Sequence, residues 1–122
     1  PDIVIHGAFS NSDNSEELIR SNILGTQVIV EACAKWNIEK LIYISSDEVY
    51  DAQETLLFTE ESTLNPNSLQ ASTKLAGEFL VKSAHKLNYT IARLGYTYGP
   101  REQTNNFVPR AIQSILNNKE FM

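Results

Sequence analysis

A short run, Ser46-Asp47-Glu48, puts a hydroxyl beside two carboxylates, and downstream stand Lys74, with Gln70 four residues before it, and Arg101 behind a Tyr98-Gly99-Pro100 turn. A hydroxyl and two carboxylates suit proton transfer, and neighbouring carboxylates can separate their pKa values and so divide acid and base roles. A guanidinium such as that of Arg101 can bind a phosphate through two hydrogen bonds. Read one at a time, each has an ordinary alternative. The Ser46 run reads equally well as a solvated loop that caps a turn. Lys74 reads as a surface charge and Arg101 as a solvated side chain. His6 reads as a packed strand-end histidine before it reads as a catalyst. His6-Gly7-Ala8-Phe9-Ser10 reads as a tight strand-to-loop turn, although small residues there also let a ligand approach the backbone.

The elements that must position these residues alternate along the chain. Ile3-Val4-Ile5 is a β-branched run with Gly7 just after it, a buried parallel strand followed by a turn. Ser15 followed by Glu16-Glu17 suits a helix start. Leu24, Val28, Ala32 and Trp36 then recur every four residues, with Ile29 and Cys33 beside them, which predicts an apolar helix face lying on a sheet. Lys40 to Ser46 is apolar nearly throughout, as strands covered on both faces are. Residues 51 to 67 read as a loop. A helix is expected from Ser68 to Leu87, with Leu75/Phe79 and Ala76/Leu80 four apart, then a third strand from Tyr89 to Leu94. A last helix runs from Phe107 to Asn118, with Val108, Ala111, Ile112 and Ile115 on one side. The order β-α-β-α-β-α implies a parallel sheet with right-handed crossovers. Ligands of such sheets sit beyond the carboxyl ends of the strands, where Ser46-Asp47-Glu48 falls.

Composition sets the outer limits. The chain of 122 residues suits one domain, and 42% apolar with 20% charged residues is ordinary for a globular protein. A net charge of -5 argues against nucleic acid as a partner. The one cysteine, Cys33, rules out an internal disulfide and a cysteine-based metal site, and it points to a reducing compartment, the cytoplasm. Its apolar neighbours make it a core residue. No apolar run approaches the ~20 residues a membrane helix needs, and no signal-peptide pattern is present. Three strands are few for a sheet, and Pro1 opens directly on a strand-like run, so a preceding part is expected.

In order and spacing, five motifs resemble the extended short-chain dehydrogenase/reductases known as NAD-dependent epimerases/dehydratases. Asp2 to Ala8 resembles the strand that usually ends His-Leu-Ala-Ala, and Asn22-Ile23-Leu24-Gly25-Thr26 resembles Asn-x-x-Gly-Thr. Leu41 to Tyr50 resembles the Tyr-x-Ser-Ser/Thr-x-x-Val-Tyr strand, and Lys74 to Glu78 resembles Ser-Lys-x-x-x-Glu. Arg93 with Tyr98-Gly99-Pro100-Arg101 resembles Arg-x-x-Asn-x-Tyr-Gly-Pro-Arg. The resemblance implies the second half of a Rossmann-like doubly wound parallel sheet, about three strands with flanking helices. Residues 1–122 would be a single partial NAD(P)-binding domain, without the Gly-rich N-terminal half and the C-terminal substrate region. It implies NAD as cofactor, a nucleotide sugar as substrate, no metal, and a homodimer built from the helices matching residues 22–37 and 68–87.

Within that family Ser46-Asp47-Glu48 looks most like the Thr-Asp-Glu of nucleotide-sugar 4,6-dehydratases, which are lyases. The resemblance gives Asp47 the acid role and Glu48 the base role, with Ser46 on the sugar's 4-hydroxyl. Lys74 would hold the nicotinamide ribose, and its charge would favour a nearby tyrosinate. Gly7, Ala8, Phe9, Ser10 and Ser21 would border the cofactor, and Tyr96 and Arg101 the substrate. A nucleotide-sugar epimerase or a deoxysugar 4-keto reductase is the alternative, because Phe58-Thr59-Glu60 and Lys74 to Glu78 suit those as well. Glu48 favours the dehydratase, since the reductases usually carry an aromatic there.

The chain also departs from the pattern. The family's catalytic tyrosine lies four residues before its lysine, a spacing that stacks both on one helix face. Here Gln70 stands there, and an amide cannot replace a phenol as general base. Leu69 replaces the usual proline, Tyr96 the ligand-touching asparagine, and Ala8-Phe9 the Ala-Ala pair. The Gly-rich turn that carries a pyrophosphate is not matched. A truncated enzyme and a non-catalytic form serving as a dimerisation module both remain open, with the chain expected to be inactive as given.

Overall fold

The computed structural model describes residues 1–51, 57–100 and 106–119. Arg101, the chain's last residues and part of the 51–67 loop lie outside the described residues. Three strands, β1 (Ile3–His6), β2 (Lys40–Ser46) and β3 (Tyr89–Leu94), form one sheet in the order β1-β2-β3, and both pairings are parallel. Two helical segments, α1 (Ser15–Leu18) and α2 (Gly25–Lys35), are joined by a widened turn over Ile19–Leu24. Helix α3 (Leu69–Ser83) completes the Rossmann-like pattern of a parallel sheet with flanking helices. Helix α4 (Phe107–Leu116) follows β3 with none of its residues buried, so its expected apolar side of Val108, Ala111, Ile112 and Ile115 is not buried among the described residues. No helix among the described residues is long and apolar enough to cross a membrane.

Local chemistry sets the boundaries. Asn14, not Ser15, caps α1, its side chain accepting from the Glu16 and Glu17 amides. Ser68 caps α3 by accepting from the Ala71 amide at 3.0 Å. Helix α2 ends where Asn37 takes a left-handed φ of 49° and Ile38 donates back to the Cys33 carbonyl. Asparagine tolerates that conformation, and this bond, with the one from the Asn37 amide to the Ala34 carbonyl, satisfies two of the last carbonyls of the helix. Helix α3 stops at Ser83, four residues before the expected end. The 84–87 turn that replaces its last turn brings Leu87 into the core.

One face of the sheet carries the core. Leu41, Tyr43 and Ser45 point from β2 toward α2 and α3, and Val30, Cys33, Val81 and Leu87 close over the first two. The other face differs from the expectation of a strand covered on both sides. Ile3 is 54% and Ile5 67% exposed, and beside them Ile42 and Ile44 are only partly buried. Alternation, not uniform burial, is the pattern of β2 here.

The helix face read from apolar spacing holds only in part. Cys33 is in the core and Ile29 packs on it, as expected, but Leu24, Val28 and Trp36 point outward, at 52%, 63% and 69% exposed. Asn22, Thr26, Val30 and Cys33 point inward. In α3 Phe79 is likewise exposed, while Ala71, Thr73, Lys74, Gly77, Glu78 and Val81 are buried. Apolar periodicity finds the most hydrophobic stripe, and in both helices the inward stripe is instead partly polar because its members bond to one another. The widened turn contributes to this. Gly25 donates to the Arg20 carbonyl, five residues back, which shifts the helical register and seats Asn22 at 1% exposed.

Candidate functional site

At the carboxyl end of β2 the chain turns sharply. The Ser46 side chain caps the single turn Asp47–Val49 by accepting from the Glu48 amide at 3.2 Å, and its hydroxyl lies 3.4 Å from Asp47 Oδ1. Asp47 is half-buried and Glu48 exposed. The Asp47 carboxylate lies against Gly95 just past β3, so close that a Cβ there would sit 3.2 Å from Oδ2. The two strand ends therefore meet at Asp47, and Gly95 is small because the carboxylate fills that space. An open cleft of about 560 Å³ runs from Asp47 past Tyr50, Phe58, Lys82 and Arg93. It does not include Lys74 or residues 7–10.

Lys74 is no surface charge. It is 5% exposed, and its ammonium donates to the Ile44 carbonyl at 2.9 Å, two residues before Ser46. The Phe9 ring lies 4.3 Å and the Tyr43 ring 5.6 Å from Nζ. Burial holds its pKa below the ordinary lysine value. The amine thus sits at the same end of β2 as Ser46, Asp47 and Glu48. Gln70, partly buried, precedes it by one turn of α3.

The fold brings a phenol to Lys74 that spacing along the chain did not suggest. Tyr43 is 2% exposed, and its hydroxyl donates to the Lys74 carbonyl at 3.3 Å. Burial, with a smaller push from the Glu78 charge, outweighs its hydrogen bond with Thr26 and raises the phenol to about 12. A phenol held that high stays protonated at neutral pH, so Tyr43 does not replace the missing base.

Two buried polar networks were not read as site residues. Glu78 is fully buried. Its carboxylate accepts from Ser45 Oγ at 2.6 Å and from Arg93 Nε and Nη2 at 2.8 and 2.7 Å, while Arg93 Nη1 donates to the Tyr50 hydroxyl at 2.8 Å. Burial alone would raise the Glu78 carboxyl, but the hydrogen bonds from Arg93 and Ser45 and the charges of Arg93 and Lys82 together hold it below the usual range. The pair ties α3 to the ends of β2 and β3. The only sequence signal was the position of each within a family-like motif.

The second network ties the loop after β1 to α3. Asn22 accepts from the Ser10 amide at 2.7 Å and donates to the Ser10 carbonyl at 3.0 Å and to Thr73 Oγ1 at 3.0 Å. The Thr26 hydroxyl donates to the Asn22 carbonyl at 2.6 Å, so its oxygen is left to accept from His6 Nε2 at 2.9 Å. His6 is therefore the packed strand-end histidine, in its Nε2-protonated neutral form. Burial, and next the Lys74 charge, lower its pKa. Of the expected cofactor border, Gly7, Ala8 and Phe9 are exposed, while Ser10 and Ser21 are partly buried. Tyr96, just past β3, is 60% exposed.

A parallel sheet with a buried lysine and two carboxylates at its carboxyl end defines a Rossmann-like ligand-binding architecture. The chain belongs to the NAD dependent epimerase/dehydratase family, whose model matches residues 1–122. It is similar to a dTDP-D-glucose 4,6-dehydratase of Dictyostelium discoideum, 35% identical over 98% of this chain and 32% of that protein. Among solved structures it resembles UDP-glucuronic acid 4-epimerase from Bacillus cereus in complex with NAD. There the identity is 31% and the TM-score 0.83, over 97% of this chain and 40% of that one. UDP-N-acetylglucosamine 4-epimerase from Methanobrevibacter ruminantium M1 is 29% identical with a TM-score of 0.88, over 98% and 42%. The chain spans about a third to two fifths of the length of the relatives it matches.

Proposed function

We infer that this chain is the acid–base segment of a nucleotide-sugar 4,6-dehydratase-like protein, and that it does not carry out the hydride chemistry of that class. The observation that supports the reading is that Asp47, Glu48 and the Lys74 amine lie toward the same end of β2, with Asp47 beside Gly95. Loss of water from a sugar requires one group to take a carbon-bound proton and another to protonate the departing hydroxyl. Glu48, exposed, would take the proton from a carbon made acidic by a neighbouring carbonyl, which this chain does not itself form. Asp47, half-buried, gives one to the leaving oxygen, which departs as water. Ser46 orients a sugar hydroxyl beside them. Tyr96, just past β3, borders the substrate's diphosphate.

NAD fits the residues present only in part. Phe9 lies over Lys74 and Ser10 is tied to α3 through Asn22, but Gln70 offers no phenolic proton, and the Lys74 ammonium is already engaged by a carbonyl and two rings. No oxidation step is therefore routed through this site. The test is direct. The chain, incubated with NAD and dTDP-glucose, is expected to form no 4-keto sugar by mass spectrometry and to give no NADH fluorescence enhancement at micromolar cofactor. Turnover would overturn the reading.

A second reading, a non-catalytic dimerisation module, is favoured by one observation. Leu24, Val28 and Trp36 of the α1–α2 stretch, with Leu69 and Phe79 of α3, are all exposed. Such apolar surface suits a helix-on-helix contact with a second copy.

A further inference from the structure

The Lys74 ammonium has few directions left. One N–H donates to the Ile44 carbonyl, and the Phe9 and Tyr43 rings lie over the rest of the group at 4.3 and 5.6 Å. Among the described residues none of these contacts is a carboxylate, and Lys74 is 5% exposed. Tyr43 belongs to the core, but Phe9 does not. It is 49% exposed and sits in the loop between β1 and α1. A half-exposed aromatic covering a buried cation gains cation–π attraction and keeps water off the charge.

The placement of that loop is specified. Ser10, the next residue, is held through both its amide and its carbonyl by Asn22, and Asn22 is bonded to Thr73 beside Lys74. On the other side of Phe9 stand Gly7 and Ala8, both exposed. The ring is therefore anchored at one end to the helix that carries the lysine, and small residues flank it at the other.

We propose that Phe9 is a lid on Lys74, occupying the position from which a ligand hydroxyl or anion would have to approach the amine. A ligand that uses Lys74 must displace the ring. Phe9 thereby decides whether the site is open to acceptor-bearing ligands such as a ribose diol. That last consequence rests on the cofactor reading above, whereas the lid itself does not.

Residue-resolved acylation by N-hydroxysuccinimidyl acetate at pH 8 tests the lid. Lys74 in the wild-type chain is expected to react about tenfold more slowly than exposed Lys35 and Lys86, and Phe9→Ala to raise the Lys74 rate about tenfold without changing theirs. The lowered Lys74 pKa would by itself speed acylation, so slow labelling reports cover rather than protonation. Equal Lys74 rates in wild type and a folded Phe9→Ala, or wild-type labelling as fast as Lys35, would overturn the lid. A measurement on the wild type alone guards against a variant that fails to fold. The Lys74 Cε methylene, assigned by its loss in Lys74→Met, should lie upfield of the other lysines through the Phe9 ring current, and an ordinary shift refutes the contact. NADH titration separates the two readings. If Phe9→Ala frees Lys74 to the reagent and NADH still does not bind, the lid stands and only its consequence for a ribose diol falls. If NADH binds the wild type while the methylene signal stays upfield, ring and ligand coexist and the lid is wrong.

Discussion

Lys74 shows how a buried charge works against its own fold. Its ammonium is buried without a carboxylate partner among the described contacts, and burial lowers its pKa. A base whose folded pKa is depressed contributes its full stability only above its ordinary value, so at neutral pH the charged form costs stability. Lys74→Met should therefore raise the urea midpoint, by about 1 kcal/mol in unfolding free energy, while deleting the group a ligand would use. His6 and Glu78 act on the acid side. Both have folded pKa values below their ordinary ones, so both contribute stability that is present at higher pH and lost as pH falls. Urea midpoints should drop first below about pH 6.5 as the unfolded-state histidine takes its proton, and again below about pH 4.3 as the unfolded-state Glu78 takes its proton while the folded one stays ionised. His6→Asn should flatten the first phase and leave the second. Breaking the buried pair by Glu78→Gln strands the Arg93 charge and should cost about 3 kcal/mol at pH 7, read by the same denaturation.

At the scale of elements, the approach of α3 to β2 is what carries Lys74 to the strand end. Gly77 makes that approach possible, since a Cβ at this position would overlap the Tyr43 hydroxyl and ring. Tyr43 is buried and its hydroxyl is bonded to the Lys74 carbonyl, so it has little room to move. Gly77→Ala has better helix propensity, yet overpacking should dominate, with a loss of about 2 kcal/mol in urea unfolding. The same substitution should loosen Lys74 from the Ile44 carbonyl and speed its acylation.

Two of the apolar surfaces among the described residues bear on association. One is the open sheet face with Ile3 and Ile5 on β1, an edge strand among the described residues. An exposed apolar edge strand invites pairing with another chain, so the protein should aggregate at moderate concentration. Ile5→Lys should reduce light scattering markedly without changing the far-UV circular dichroism. The other is the outward stripe of Leu24, Val28 and Trp36 with Phe79. If it pairs two copies, sedimentation velocity should show a dimer that Val28→Glu converts to monomer. A monomeric wild-type chain would remove the dimerisation reading.

Much of this was legible in the residues alone. The bounds of β2 and β3 follow from β-branched and apolar runs between turn signals, and the element order alone implied a parallel sheet. The placement of Ser46, Asp47 and Glu48 at the end of β2 followed too, because a strand's carboxyl end can be located from its sequence. The inward faces of α2 and α3 could not be found this way. Their buried residues include Asn22, Thr26, Thr73, Lys74 and Glu78, polar groups tolerated inside only because partners distant in sequence satisfy them. Spacing along one helix reports hydrophobicity but not a hydrogen bond to another element. For the same reason only the tertiary structure could show Phe9 and Tyr43 closing over Lys74. The residue types were fixed by sequence, but the accessibility of the amine was decided by packing.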